Sequence, residues 1–189
     1  AKLRAARMVY AQIAEAYGAS EAARKLHVFA RTSSFTKTVY DPYVNILRTT
    51  TEAFSGVVGG VDAMEVAPLD EPFGSSEELT RRIARNIQVM MQEEFHLTQP
   101  VDPAGGSWYV ETLTAQLAES IWAYFQNIES KGGIESAILS GALQDDVAAT
   151  LAQRFKNLDT RTDRAVGVNM YANVLEQKLD RPAAKAVPA

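Results

Sequence analysis

The sequence predicts an α/β chain in which helices alternate with strands of a parallel sheet. Short apolar segments of extended type alternate with segments of helical spacing, in the order strand, helix, strand, helix, candidate strand, helix. The helical segments are bounded by start and stop signals: Asp-Pro and Ser-Ser-Glu-Glu before them, Gly-Gly after them. No internal repeat is present. Two or three strands are visible, too few to close a barrel, so the sheet requires further strands from elsewhere.

Residues 2–17 place Leu3, Ala6, Met8, Ile13 and Ala16 at roughly helical spacing, with Gly18 as the stop. "ASEAARKL" predicts a short second helix. "HVFART" (27–32) predicts a strand that ends in polar Thr-Ser-Ser. In "DPYVNILRTTTEAFSGVVGG" (41–60), Asp41-Pro42 reads as an N-cap and first helical position, and Gly59-Gly60 as the end. "AMEVAP" (63–68) alternates until Pro68 and predicts a second strand. "SSEELTRRIARNIQVMMQEEFHL" (75–97) opens like a capping box and carries one apolar face of Ile83, Ile87, Met90, Met91 and Phe95. A helix over 112–133 follows, with Leu113, Leu117, Ile121, Phe125 and Ile128 in register and Gly132-Gly133 at its end. Two more helices follow, then "AVGVNMY" (165–171) as an extended segment. The Pro/Ala-rich tail, 172–189, reads as a linker or frayed end.

Composition narrows the function. The chain has 189 residues, a net charge of −4, no cysteine and only His27 and His96 as histidines. A negative balance gives no electrostatic footprint for nucleic acid. The absence of cysteine excludes disulfides, Cys-zinc sites and thiol nucleophiles, and suits a cytoplasmic location. Two histidines make a multi-histidine metal site unexpected, and no apolar run is long enough to span a bilayer.

One stretch asks for more than a fold. "VDPAGGSWYVETLT" (101–114) sets two glycines and a serine directly before a long helix. A plain turn needs one glycine; two suggest backbone that passes close to a helix, a ligand or another subunit. The competing reading is a tight turn at Gly105-Gly106, with Trp108 and Tyr109 packed in the wall of the fold.

"RTSSFTKTVYDPYVNILRTTTEAFSGVVGG", the Asp70-Glu71 pair, "RRIARNIQVMMQEE" and "DPAGGSWYVE" follow one another in that order. Together they resemble the last strands and helices of the barrel domain of the adenosylcobalamin-dependent methylmalonyl-CoA mutase family. The resemblance runs from about residue 27 to about residue 171. It implies the C-terminal part of a (β/α)8 barrel followed by helices, with residues 1–26 as an N-terminal helical segment. It further implies acyl-CoA as substrate, adenosylcobalamin as cofactor of the complete enzyme, and radical interconversion of methylmalonyl-CoA and succinyl-CoA.

The departures from the family pattern are as informative. Catalytic chains read D-P-W-G-G-S where Ala104 stands, and T-S-G-W where Thr32-Ser33-Ser34-Phe35 stands. They carry an arginine and a histidine at His27 and Phe29, and H-T-N at Glu65, Val66 and Ala67. Loss of that polar wall removes donors that would orient a cofactor. The cobalamin-ligating D-x-H-x-x-G motif does not occur in these residues. These changes imply the non-catalytic small subunit of a heterodimeric mutase, which stabilises a catalytic chain and binds no cobalamin itself. Two alternatives stay open: the C-terminal half of a catalytic barrel whose pocket is enlarged at Ala104 and Val66 for another acyl-CoA, and a non-enzymatic scaffold domain.

On the resemblance, Glu94, Gly105 and Gly106 are the candidates for cofactor contact, Glu94 at the position that lies near the adenosyl ribose in catalytic chains. Arg31, at a strand end, is a candidate for a phosphate or carboxylate, with Ser33 beside it. No catalytic residue and no metal ligand is expected. Glu93-Glu94 as an acid–base pair is disfavoured, because adjacent helical positions point about 100° apart. His96 reads as a helix-end histidine, Asp41 as a helix cap, Asp102 as a turn residue, and Met90 and Met91 as core.

Overall fold

A computed structural model describes residues 1–176. The described chain is mixed α/β and rich in helix: α1 (Lys2–Ala16), β1 (Phe29–Arg31), α2 (Val44–Val58), β2 (Ala63–Glu65), α3 (Glu78–Glu93), α4 (Trp108–Ser130), α5 (Gly133–Leu139) and α6 (Ala142–Asp159). It divides into two compact units. One holds Ala1–Leu26 and Gly105–Arg164; the other holds His27–Ala104 and, among the described residues, 165–176.

The second unit contains the β1–α2–β2 crossover that the alternating pattern predicted. β1 and β2 pair in parallel, with Phe29 opposite Ala63, Ala30 opposite Met64 and Arg31 opposite Glu65. Val28 O receives the N–H groups of Asp62 and Ala63, and Thr32 N donates to Glu65 O, so pairing extends one residue at each end. Ala30 and Met64 are half-buried, whereas Phe29, Arg31, Ala63 and Glu65 are exposed. One face of this sheet is therefore covered and the other open.

Behind the covered face lie α2 and α3. Ala53, Val66, Ala84, Ile87 and Met91 form the core, with Ile46, Val57, Met64 and Leu97 packed against it. Gly56 lets the end of Met64 lie against the helix: a Cβ there would stand 1.9 Å from the Met64 Cε, and the methionine would have to move its terminal methyl. Within α2, Thr49, Thr50, Thr51 and Ser55 each turn their hydroxyl back to a carbonyl of the preceding turn. Polar residues thereby fit a helix whose buried line is Asn45, Thr49, Ala53 and Gly56.

Several boundaries differ from the sequence reading. α2 begins at Val44, because Asp41 has φ 43° and leads a turn in which Val44 N donates to Asp41 O; Asp41 is not its cap. The serines at 75–76 do not cap α3 either. The buried Asp70 supplies a carboxylate oxygen, Oδ2, to Glu77 N at 3.0 Å. Residues 20–25 form successive turns instead of a second short helix, with Ala23 N and Arg24 N both donating to Ser20 O. "AVGVNMY" is a turn closed by one bridge between Val166 and Met170, with Gly167 at φ 79°. Of the tail expected over 172–189, residues 177–189 lie outside the described residues.

In the first unit α1 packs on α4, and α5 links α4 to α6. α1 buries Ala5 and Val9, four residues apart, and leaves Met8 exposed, so its inward line is not the one expected through Ala6 and Met8. α4 starts earlier than predicted, at Trp108, and its anticipated line of Leu113, Leu117, Ile121, Phe125 and Ile128 is half-buried throughout. Arg4 and Glu111 join α1 to α4 at 2.6 Å, and Tyr124 Oη donates to Asp146 at 3.1 Å. No helix among the described residues is long and apolar enough to cross a membrane.

Parallel strands are ordinarily covered on both faces and both edges. With Phe29 65% exposed on the open face, the isolated 189-residue chain is expected to sediment above monomer mass at micromolar concentration. A monomer with cooperative, concentration-independent unfolding would contradict this.

Candidate functional site

The candidate site is built from the segments that leave the C-terminal ends of β1 and β2, the place where parallel α/β units carry their chemistry. Arg31 is the last residue of β1 and Glu65 the last of β2, and the register sets them side by side. Arg31 Nε donates to Glu65 Oε1 at 3.1 Å, and Arg31 Nη2 donates to Glu71 Oε1. The hydrogen bonds to Glu65 and then Glu71 hold the Arg31 guanidinium above its ordinary pKa. The carboxylates that Arg31 meets thus belong to its own chain.

Thr32 lies just beyond and is buried; its Oγ1 accepts from Ala67 N at 2.8 Å, joining the two strand exits. Ser33 opens a 3-10 turn over Ser34–Thr36, its Oγ accepting from Phe35 N, while its own N–H donates to Glu52 Oε2 at 2.9 Å. The Lys37 side chain is fully buried beneath this turn. Its Nζ donates to Glu52 Oε2 at 2.8 Å, to Ser33 O at 2.8 Å and to Thr36 Oγ1 at 3.0 Å. All three ammonium protons have acceptors, so none of the donors is buried without a partner.

Asn45 stands at the centre. It is fully buried; its Nδ2 donates to Thr38 O and Leu69 O, each at 2.9 Å, and its Oδ1 accepts from Thr38 N at 3.1 Å and Arg48 Nη1 at 2.7 Å. Arg48 also reaches Val166 O at 2.6 Å. Burial lowers its pKa, opposed by the charges of Asp41 and Glu52.

The predicted residues do not all converge. Arg31 and Ser33 share the exit of β1. Glu94 is the exposed C-cap residue of α3, and its N–H donates to Met90 O. Gly105 and Gly106 belong to the other compact unit. Gly106 has φ 77°, nothing lies within 4 Å of where its Cβ would be, and its N–H donates to Glu111 Oε1 at 3.0 Å. The glycine serves the left-handed turn into α4; close approach does not explain it here. Trp108 and Tyr109 are 91% and 76% exposed, so neither packs as the wall reading expected. Met91 is core, whereas Met90 is 40% exposed on a cleft of about 330 Å³ lined also by Ile46, Thr50, Ile83 and Phe95. His27 is exposed, its Nδ1 3.8 Å from Asp62, and His96 is an exposed residue beyond α3. No group of three or more metal-ligating side chains occurs among the described residues. Val66 packs into the core with residues of α2 and α3.

The sequence reading missed Lys37, Glu52 and Asn45. The one available signal was a lysine within a Ser/Thr run followed fifteen residues later by a glutamate on the next helix. That spacing gains meaning only once the chain is folded.

A β1–α2–β2 crossover with polar strand exits places the chain among mixed α/β proteins with a parallel sheet. The chain belongs to the methylmalonyl-CoA mutase family: the family profile, described as methylmalonyl-CoA mutase, matches residues 1–187. That match takes in the N-terminal helix, which the motifs alone did not reach. Similar proteins include one named methylmalonyl-CoA mutase small subunit from Streptomyces virginiae, 44% identical over 189 residues, covering 100% of this chain and 30% of the relative. Another of that name, from Porphyromonas gingivalis, is 40% identical over 96% of this chain and 30% of its own length. A protein named methylmalonyl-CoA mutase, from Cereibacter sphaeroides, is 38% identical over 95% of this chain and 26% of its own. The chain spans less than a third of each of these relatives.

Two variants test the site's framework. Asn45→Ala strands buried backbone and guanidinium partners and is expected to cost about 3 kcal/mol, read as a lower urea midpoint. Lys37→Met is expected to cost about 2 kcal/mol, below the range for a fully buried broken pair because Glu52 is partly exposed. Lys37→Met combined with Glu52→Leu should then cost less than the sum of the single changes. Additive losses would show that the pair is not coupled.

Proposed function

We propose that the chain is a segment of the non-catalytic small subunit of an adenosylcobalamin-dependent methylmalonyl-CoA mutase, and that its work is to stabilise a catalytic mutase chain. In this reading residues 27–171 supply the last strands and helices of a (β/α)8 barrel, and the open face of β1 and β2 is the face the rest of the barrel covers. The carrying observation is the replacement of the polar wall after β2 by Glu65, Val66 and Ala67. Glu65 pairs with Arg31, while Val66 and Ala67 are buried. None of the three side chains carries a hydrogen-bond donor at the strand exit.

Adenosylcobalamin would supply radical chemistry in the complete enzyme. The strand-exit side chains of this chain do not fit it well: Arg31, Glu65 and Glu71 bind one another and present a net negative cluster. Neither histidine stands among them. Similarity to relatives named small subunit supports the same reading, as does the packing of Val66, which speaks against a pocket widened for another acyl-CoA. The substrate of the assembled enzyme would be an acyl-CoA, and neither nucleic acid nor membrane is a partner on this reading.

Co-expression of the chain, carrying an affinity tag, with the catalytic mutase chain of the same genome tests the proposal. Retention of the catalytic chain at near-equal stoichiometry through size exclusion is expected, with no methylmalonyl-CoA turnover by the tagged chain alone after addition of adenosylcobalamin. Turnover by the isolated chain, or its purification free of the catalytic chain, would overturn the reading.

A further inference from the structure

The Arg31 cluster does more than satisfy an arginine. A guanidinium recognises phosphate or carboxylate best along the edge that carries Nε and one Nη, where two parallel N–H groups meet two oxygens of one anion. In this chain that edge is divided between two carboxylates: Nε serves Glu65 Oε1, and Nη2 serves Glu71 Oε1. The three side chains lie at the strand exits and remain 44%, 52% and 20% exposed, so a ligand in solution can reach them. One cation faces two anions.

We infer that Glu65 and Glu71 are tethered ligands of Arg31, filling an anion site at the strand exits that would otherwise take a phosphate or pyrophosphate group. Each glutamate is held against the guanidinium by the fold, Glu65 by the β1–β2 register and Glu71 by the turn that follows Asp70. A tethered group competes at an effective concentration of at least about millimolar. A free anion must displace both carboxylates and approach a cluster of net negative charge. The inference rests on the non-catalytic reading proposed above and deepens it by naming what closes the strand exits. It is tested without reference to any partner chain.

The probe is inorganic pyrophosphate, titrated calorimetrically into the full 189-residue chain at low ionic strength. In the Glu65→Gln/Glu71→Gln variant, affinity is expected to rise at least tenfold over the unaltered chain. Adding Arg31→Met to that variant is expected to abolish the gain. Equal affinity in the unaltered and double-variant chains would overturn the inference. So would a gain that persists without Arg31, since it would reflect only the change in net charge. Circular dichroism checks the fold of each variant. Should the double variant unfold, Glu65→Gln alone carries the test, with an expected gain of at least threefold that again requires Arg31; the absence of that gain would overturn the inference. Loss of copurification with a catalytic chain would leave these titrations unchanged, so failure of one proposal is separable from failure of the other.

Discussion

The segments that leave β1 and β2 are both tied to one side chain, the amide of Asn45. Its two N–H groups and two oxygen lone pairs are all used, on Thr38, Leu69 and Arg48. Because Asn45 is fully buried, no water can substitute for a lost partner. The amide is therefore a geometric instruction: the chain at 38 and the chain at 69 must each stand within hydrogen-bond reach of the first turn of α2. Lys37 and Glu52 add a second tie about two turns further along the helix, and Thr32 a third, directly between the strand exits. The position of Arg31 relative to Glu65 and Glu71 follows from these constraints.

This arrangement explains why charged groups sit comfortably where a helix and two loops meet. The buried Lys37 ammonium meets one backbone carbonyl, Ser33 O, and two side-chain acceptors, Thr36 and the partly exposed Glu52, which together offset its desolvation. α2 follows the same rule in neutral form. Its threonines bond to their own helix, which lets a polar segment face an apolar core without stranding a hydroxyl.

The parts of the fold that were legible in sequence are those governed by local patterning. α4 was readable because a long helix with one half-buried line repeats its signal over many turns. The β1–α2–β2 order was readable from strand, helix and Gly-Gly punctuation. What failed depended on distant residues. Ser75 and Ser76 looked like a cap, but the helix opens at Glu77, whose own N–H is held by the buried Asp70. Asp41-Pro42 looked like a helix start, but Asp41 adopts a left-handed turn against Gly167, from far along the chain. α1 buries a line one residue away from the expected one, because small Ala5 and Val9 suit contact with α4 better than the longer Met8. Arg31 was recognisable as a residue that seeks an anion, yet its anions could not be named without the parallel register that places Glu65 opposite it.

Gly56 and Met64 divide a single small volume between strand and helix. The thioether end of Met64 occupies the room that any side chain at 56 would need. Neither position has a size requirement of its own; only their sum is fixed by the sheet-to-helix distance. An alanine at 56 is tolerable while 64 is methionine, since an unbranched side chain can rotate its terminal methyl away. With a stiff, β-branched residue at 64, the same alanine would push the helix off the sheet. Substitution history at these two sites should therefore read as correlated exchange, with each position's freedom granted by the flexibility of the other.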